Sequence, residues 1–230
     1  MKILVFDTET TGLPKSKIIN PYTLNLWPHI VQFSYIIYDT SFNDIIESKD
    51  YIVKLASDII IPEESTKIHG ITNEISTNSG HHIFEILTEF FQHLRSVDKL
   101  VGHNIIFDIN MIKIELLRII NSNFMHHKKI KLYKYDFHFL SNYDNISCTL
   151  KDSIEFCNIQ AIDKQGKQYL KYPKLSELHE KLFNKSPSNL HNSFNDILVT
   201  LRCFMKLKHD IDLNDDCDSF KKYSNQIGLV

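Results

Sequence analysis

Apolar residues first gather in residues 2–6 (KILVF), a short continuous run of the kind that forms a buried strand. Residues 29–38 and 45–55 are rich in β-branched and aromatic side chains and predict the next two strands. Between the first two, residues 13–28 carry Pro14, Pro21 and Pro28 and predict a loop. Beyond Pro62 the repeat lengthens to helical spacing. Residues 65–69 predict a single turn, and Thr72 or Asn73 can cap another. Residues 81–94 set Ile83, Ile86, Leu87, Phe90, Phe91 and Leu94 on one helical face. A brief strand at 99–101 ends at Gly102, and residues 108–120 repeat Ile109, Ile112, Leu116, Leu117 and Ile120. Residues 145–148 predict a last strand, and 174–183 and 192–209 two amphipathic helices. Strands first, then strands alternating with helices, give an α/β sheet covered by helices. Residues 210–230 are polar with weak periodicity, which predicts a loose tail or docking segment after a domain spanning 1–209.

Composition narrows this outline. With 43% of 230 residues hydrophobic, the chain can bury a sizeable core. No apolar run reaches spanning length, so no membrane role is expected. The start of the chain turns acidic after six apolar or basic residues, unlike a signal peptide. Cys148, Cys157, Cys203 and Cys217 match no zinc spacing and read as reduced thiols, which predicts an intracellular, not secreted, protein. A net charge of −2 neither supports nor excludes a nucleic-acid partner, because a strand-end reader needs only a local basic patch.

Three acidic segments carry candidate chemistry. Asp7 and Glu9 lie two apart at the end of the first strand, so their carboxylates share a face. Like charges that close repel unless a cation lies between them, and Mg²⁺ or Mn²⁺ prefers such oxygen ligands. Asp108 closes the stretch Val101-Gly102-His103-Asn104-Ile105-Ile106-Phe107-Asp108, one turn into a helix that Asn104 can cap. Asp196 follows His191 by five residues at another helix start, on a largely buried helix where an unpaired carboxylate costs free energy. Each segment alone reads more readily as an ordinary acidic turn or helix start. Together they can converge at one sheet edge, where open α/β sheets place ligands.

The segments FDTETTGL, VGHNIIFD and HNSFND, in this order, resemble the three motifs of the DEDD superfamily of 3′–5′ exonucleases, histidine subgroup, which includes the proofreading exonucleases of bacterial replicative polymerases. KIHGIT at 67–72, and Pro173–Leu178 followed by Phe183, resemble further family segments, so the similarity runs from Lys2 to about Lys206. The resemblance implies a ribonuclease-H-like three-layer fold, a mixed five-stranded sheet with helices on both faces. It implies two divalent ions, Mg²⁺ or Mn²⁺, held by Asp7, Glu9, Asp108 and Asp196, with His191 as general base. The five-residue step from His191 to Asp196 marks the histidine subgroup; the tyrosine subgroup would place Tyr where Asn192 stands. Thr10, Leu13, His69, His103, Asn104 and Phe107 match positions that hold the terminal nucleotide. The substrate implied is a single-stranded or frayed nucleic-acid end, DNA in preference to RNA, and the partner a polymerase or replication/repair assembly. An exoribonuclease and an inactive nucleic-acid-binding module are the alternatives.

One stretch departs from the family pattern. Residues 119–144 are long, and interleave Lys128, Lys129, Lys131 and Lys134 with Tyr133, Tyr135, Phe137 and Phe139. They predict a surface hairpin with a buried aromatic face, or else a single-strand-binding segment that uses phosphate contacts and base stacking.

Overall fold

The computed structural model describes residues 1–122 and 126–228. Its centre is a five-stranded sheet built from β1 (Lys2–Thr10), β2 (Ile30–Asp39), β3 (Asp44–Ile52), β4 (Lys99–Gly102) and β5 (Ile146–Cys148), in the order β3-β2-β1-β4-β5. β1–β2 and β2–β3 are antiparallel, while β1–β4 and β4–β5 are parallel, so the sheet is mixed as expected. β1 runs four residues past the apolar run that predicts it, so Asp7 and Glu9 lie within the strand.

The period of two in β1 divides the core. Leu4 and Phe6 face one layer, built on α3 (Ile83–Leu94) and α4 (Ile105–Asn121), which α1 (Glu63–His69) and α2 (Asn73–Ser79) precede in the chain. Phe6, Phe33, Tyr35 and Phe90 pack there with ring centroids 5.1–6.2 Å apart. Ile3 and Val5 face the other layer, built on α8 (Leu175–Phe183) and α9 (Ser193–His209). β2 is buried along all ten residues because both layers cover it. α9 is apolar around most of its girth, with every residue from Ile197 to Met205 buried between the sheet and its neighbours.

The stretch at 119–144 is not a hairpin. After α4 its described part forms α5 (His127–Ser141), which buries Tyr133 and Leu140 and packs Phe137 and Phe139 on the first layer. A helix gathers Tyr133, Phe137 and Leu140, four and three apart, on its inner face, although the aromatics themselves alternate every second residue. Only Tyr135 of the four is exposed, so the aromatic face serves packing, and the lysines remain outside. After β5 come the short helices α6 (Thr149–Asp152) and α7 (Ile154–Cys157), then a separate hairpin of β6 (Gln160–Ile162) and β7 (Gln168–Leu170).

Residues 210–228 are no loose tail. They form α10 (Leu213–Asp216) and α11 (Asp218–Gln226), and bury Leu213, Cys217 and Phe220 in the second layer. Arg202 of α9 fastens them by a two-pronged ion pair to Asp212, with its guanidinium 3.9 Å above the Phe183 ring. All four cysteines are free and buried. Among the described residues no helix is long and apolar enough to cross a membrane.

Candidate active site

Strand alternation puts Asp7 and Glu9 on the same face as Ile3 and Val5, toward α9. Asp196, one turn into α9, meets them there: Asp7, Glu9 and Asp196 each offer a carboxylate oxygen, all within 4.8 Å of one another. Asp108 arrives from the opposite layer through α4 and is almost fully buried. Thr8, on the other face of β1, donates to its Oδ1 through both hydroxyl (2.7 Å) and backbone N–H (3.1 Å). Asp108 therefore sits beside the group of three and outside it.

The four carboxylates penalise one another. Burial first, and then the charges of Asp108, Asp196 and Glu9, hold the Asp7 carboxyl well above the carboxylate range. Burial and the neighbouring Asp196 and Asp108 push Glu9 to about 8. Burial lifts Asp108 and Asp196 to about 7, against the Thr8 hydrogen bonds in one case and the His191 backbone N–H in the other. Asp196 Oδ1 is buried without a hydrogen-bond partner among the described residues. A buried carboxylate oxygen with no donor is a lost interaction that a cation restores.

Polar residues that the sequence reading passed over fix this geometry. Gln32 and Ser34 interrupt the apolar run of β2, and both donate to Asp50 Oδ1 on β3, at 2.8 and 2.7 Å. Gln32 Oε1 accepts from the Ser193 backbone N–H at 3.2 Å, and the Ser34 and Ser193 hydroxyls share a short hydrogen bond. Asn192 caps α9 by accepting from the N–H groups of Phe194 and Asn195. The first turn of α9 is thus bolted to the sheet, one turn from Asp196.

A cleft of about 550 Å³ opens above the acids, with Asp7, Asp196, His103, His191, Tyr172 and Lys174 in its lining. His191 stands exposed at its lip with φ of 70°, and its ring has no hydrogen-bond partner among the described residues. Asn195 donates to the Asn189 carbonyl and holds the loop that carries it.

The six candidate nucleotide contacts divide. Leu13 is 81% exposed and free to meet a ligand, and Asn104 is exposed at the cleft. Asn104 precedes α4 in left-handed conformation and makes no side-chain cap, unlike the expected N-cap. Gly102, two residues before it, is required: an added Cβ would meet the Ile105 side chain at 2.9 Å. Thr10 spends its hydroxyl on the Gly12 carbonyl, and Phe107 packs on the first layer. His69 is buried, with Nδ1 accepting from Ile71 N–H and its Nε2 without a partner among the described residues. His103 is bound at both ring nitrogens, Nδ1 to the Thr149 hydroxyl at 2.9 Å and Nε2 to the Pro173 carbonyl at 3.2 Å. Burial lowers it to about 4, so it is a neutral strut between β4, α6 and the segment leading to α8.

The RNase T family model, described as exonuclease, matches residues 4–204. A comparison with curated proteins gave no match. Among solved structures, the chain is similar to Exonuclease I from Methylocaldum szegediense, with 19% identity and a TM-score of 0.58, over 93% of this chain and 42% of that one. It is similar to Escherichia coli Exonuclease I in complex with a dA16 oligonucleotide, at 19% identity and TM-score 0.57, with the same coverage. The zinc-bound form of the E. coli enzyme with single-stranded DNA gives 21% identity and TM-score 0.59, again over 93% and 42%. The chain thus spans about two fifths of the length of these proteins.

Proposed function

Because the chain belongs to the RNase T exonuclease family, we propose that it removes nucleotides one at a time from the 3′ end of single-stranded or frayed DNA, as a metal-dependent enzyme of the histidine subgroup. The observation that carries this reading is the trio of carboxylate oxygens of Asp7, Glu9 and Asp196 within 4.8 Å, two of which, Asp7 and Asp196, line an open cleft. The donor set fits a hard divalent cation: it is all oxygen, mutually repulsive, and includes the partnerless Asp196 Oδ1. Asp7, Glu9 and Asp196 would hold one ion, and Asp7 with Asp108 a second. When bound, such a pair of ions supplies the positive charge that activates a water and stabilises the leaving oxygen.

The chain's own groups do the rest. The free ring of His191 at the cleft lip takes the proton of the attacking water, the usual task of a general base. The water oxygen bonds to phosphorus, the bond from phosphorus to the 3′ oxygen breaks, and that oxygen gains a proton. The products are a nucleoside 5′-monophosphate and a strand one residue shorter. Leu13, the most exposed of the candidate contacts, would lie against the last base. Thr10, His69, Asn104 and Phe107 would shape its pocket, with His103 positioning the wall. Pairing must break before an end can enter, so frayed ends react faster.

The solved Exonuclease I complexes with DNA oligonucleotides favour DNA over RNA as substrate. Matched DNA and RNA oligonucleotides labelled at the 5′ end test the proposal. A ladder shortening by single residues from the 3′ end, faster on DNA, is expected in Mg²⁺ or Mn²⁺ and absent in EDTA. Internal cuts, or no cleavage of either strand, would sink it.

A further inference from the structure

We propose that the β6–β7 hairpin and the extended segment 171–174 that follows it form an arm that binds the single-stranded nucleic acid upstream of the terminal nucleotide; this rests on the function proposed above. The hairpin lies outside the five-stranded sheet, joined to neither edge. Two strands alone are marginal in water, so such a hairpin profits from a bound partner. It exposes what a free surface ordinarily covers, Ile162 at 67% and Tyr169 at 48%, and the segment after it exposes Tyr172 at 60%.

Charge points the same way. Between Gln160 and Lys174 the chain has Lys164, Lys167, Lys171 and Lys174 against one acid, Asp163. The Asp163 carboxylate is engaged by the turn, where it accepts from the backbone N–H groups of Gln165 and Lys167. Lys171 pairs with Glu177, which leaves Lys164, Lys167 and Lys174 outside the ion pairs found among the described residues. A chain of net charge −2 thus concentrates cations beside an acidic floor.

Position supplies the direction. Tyr172 and Lys174 line the same cleft as Asp7, His191 and Asp196. The Pro173 between them is held by His103 through its carbonyl. A strand whose last nucleotide sits over the acids must leave through the open mouth, and this wall flanks it. Aromatic faces that stack on bases, interleaved with cations that meet phosphates, bind single strands with little regard to sequence. The hairpin tip adds the exposed Lys164 and Lys167 to that surface.

The test measures how affinity grows with strand length. Fluorescein-labelled oligothymidylates and oligouridylates, from two to about ten nucleotides, are titrated with the full chain in EDTA and followed by anisotropy. For the parent we expect affinity to rise steeply with length. A Tyr169→Ala/Tyr172→Ala variant should lose about tenfold of that rise, since stacking contributes strongly per base. A Lys164→Gln/Lys167→Gln variant should lower the salt dependence, by about 0.7 in log–log slope per lost phosphate contact. Both variants change exposed side chains, and unaltered melting temperatures confirm their folds. A length dependence and a salt slope equal to the parent's, in both oligonucleotide series, would overturn the proposal. A parent that binds with the expected length dependence yet cleaves nothing in Mg²⁺ would instead count against the proposed reaction.

Discussion

Without metal, the carboxylate cluster should make the protein less stable as the solution turns alkaline. An acid whose pKa rises on folding keeps its proton longer in the folded state. Its stabilising share is complete below the unfolded pKa and disappears as pH climbs through the folded one. Glu9 at about 8, Asp108 and Asp196 at about 7, and Asp7 raised beside them all act in this direction. Below neutrality the buried histidines oppose them. His29 and His103 are lowered to about 4 by burial, so they favour folding as pH rises toward their unfolded value of 6.5. The clean window therefore runs from about pH 7 to about pH 8.5. Across it Glu9 contributes the largest loss, and Asp108 and Asp196 smaller ones, roughly 2 kcal/mol together. For a chain this long that is a fall in Tm of about 4–8 °C. Saturating Mg²⁺ or Mn²⁺ should reverse it, since an ion at about a hundred times its Kd adds about 2.7 kcal/mol. Thermal unfolding by circular dichroism, in EDTA and in metal, at both ends of the window, reads this directly. A Tm in EDTA that stays level or rises, with no gain from metal, would refute the cluster's electrostatics.

Other predictions follow from single contacts. His191→Ala should slow hydrolysis by about 10²–10⁴-fold in a single-turnover assay while metal affinity holds; an unchanged rate removes it from the reaction. Arg118→Ala should destabilise by about 3–5 kcal/mol in a denaturant titration, because it strands the buried Glu115 carboxylate. The same change releases the carbonyls of Leu24, Trp27 and Pro28, which Arg118 ties together. Thr8→Val removes the hydroxyl that Asp108 accepts from, should cost about 1–3 kcal/mol, and should raise the Asp108 pKa further, seen as a weaker metal response in the melting assay.

What the sequence disclosed divides along physical lines. The five strands of the sheet and the helices α3, α4, α8 and α9 were legible because their apolar periods are strong, whereas α5 was masked by aromatics that alternate every second residue. β1 reads short in sequence because Asp7 and Glu9 break its apolar run, although alternation continues through them. α11 is hidden for the opposite reason: Cys217, Phe220 and Ser224 keep helical spacing, but polar residues on the other faces dilute it. The β6–β7 hairpin left a readable mark, the turn around Gly166 at φ of 82° between two short β-forming runs. The three motifs marked the acids by position, but which oxygens meet depends on layers. Asp196 shares a face with Asp7, whereas Asp108 reaches β1 from the other side, on Thr8. The supports behind them, Gln32, Ser34, Asp50 and Ser193, act only through pairing across strands. Two polar residues inside an otherwise apolar strand were their one signal.

Calorimetric titration of Mn²⁺ into the full chain and into Asp7→Asn tests the heart of the account. The parent should bind two ions, and the variant, which keeps its fold but loses the oxygen common to both sites, should bind them far more weakly. Equal binding by the two proteins, or none by the parent, would contradict it.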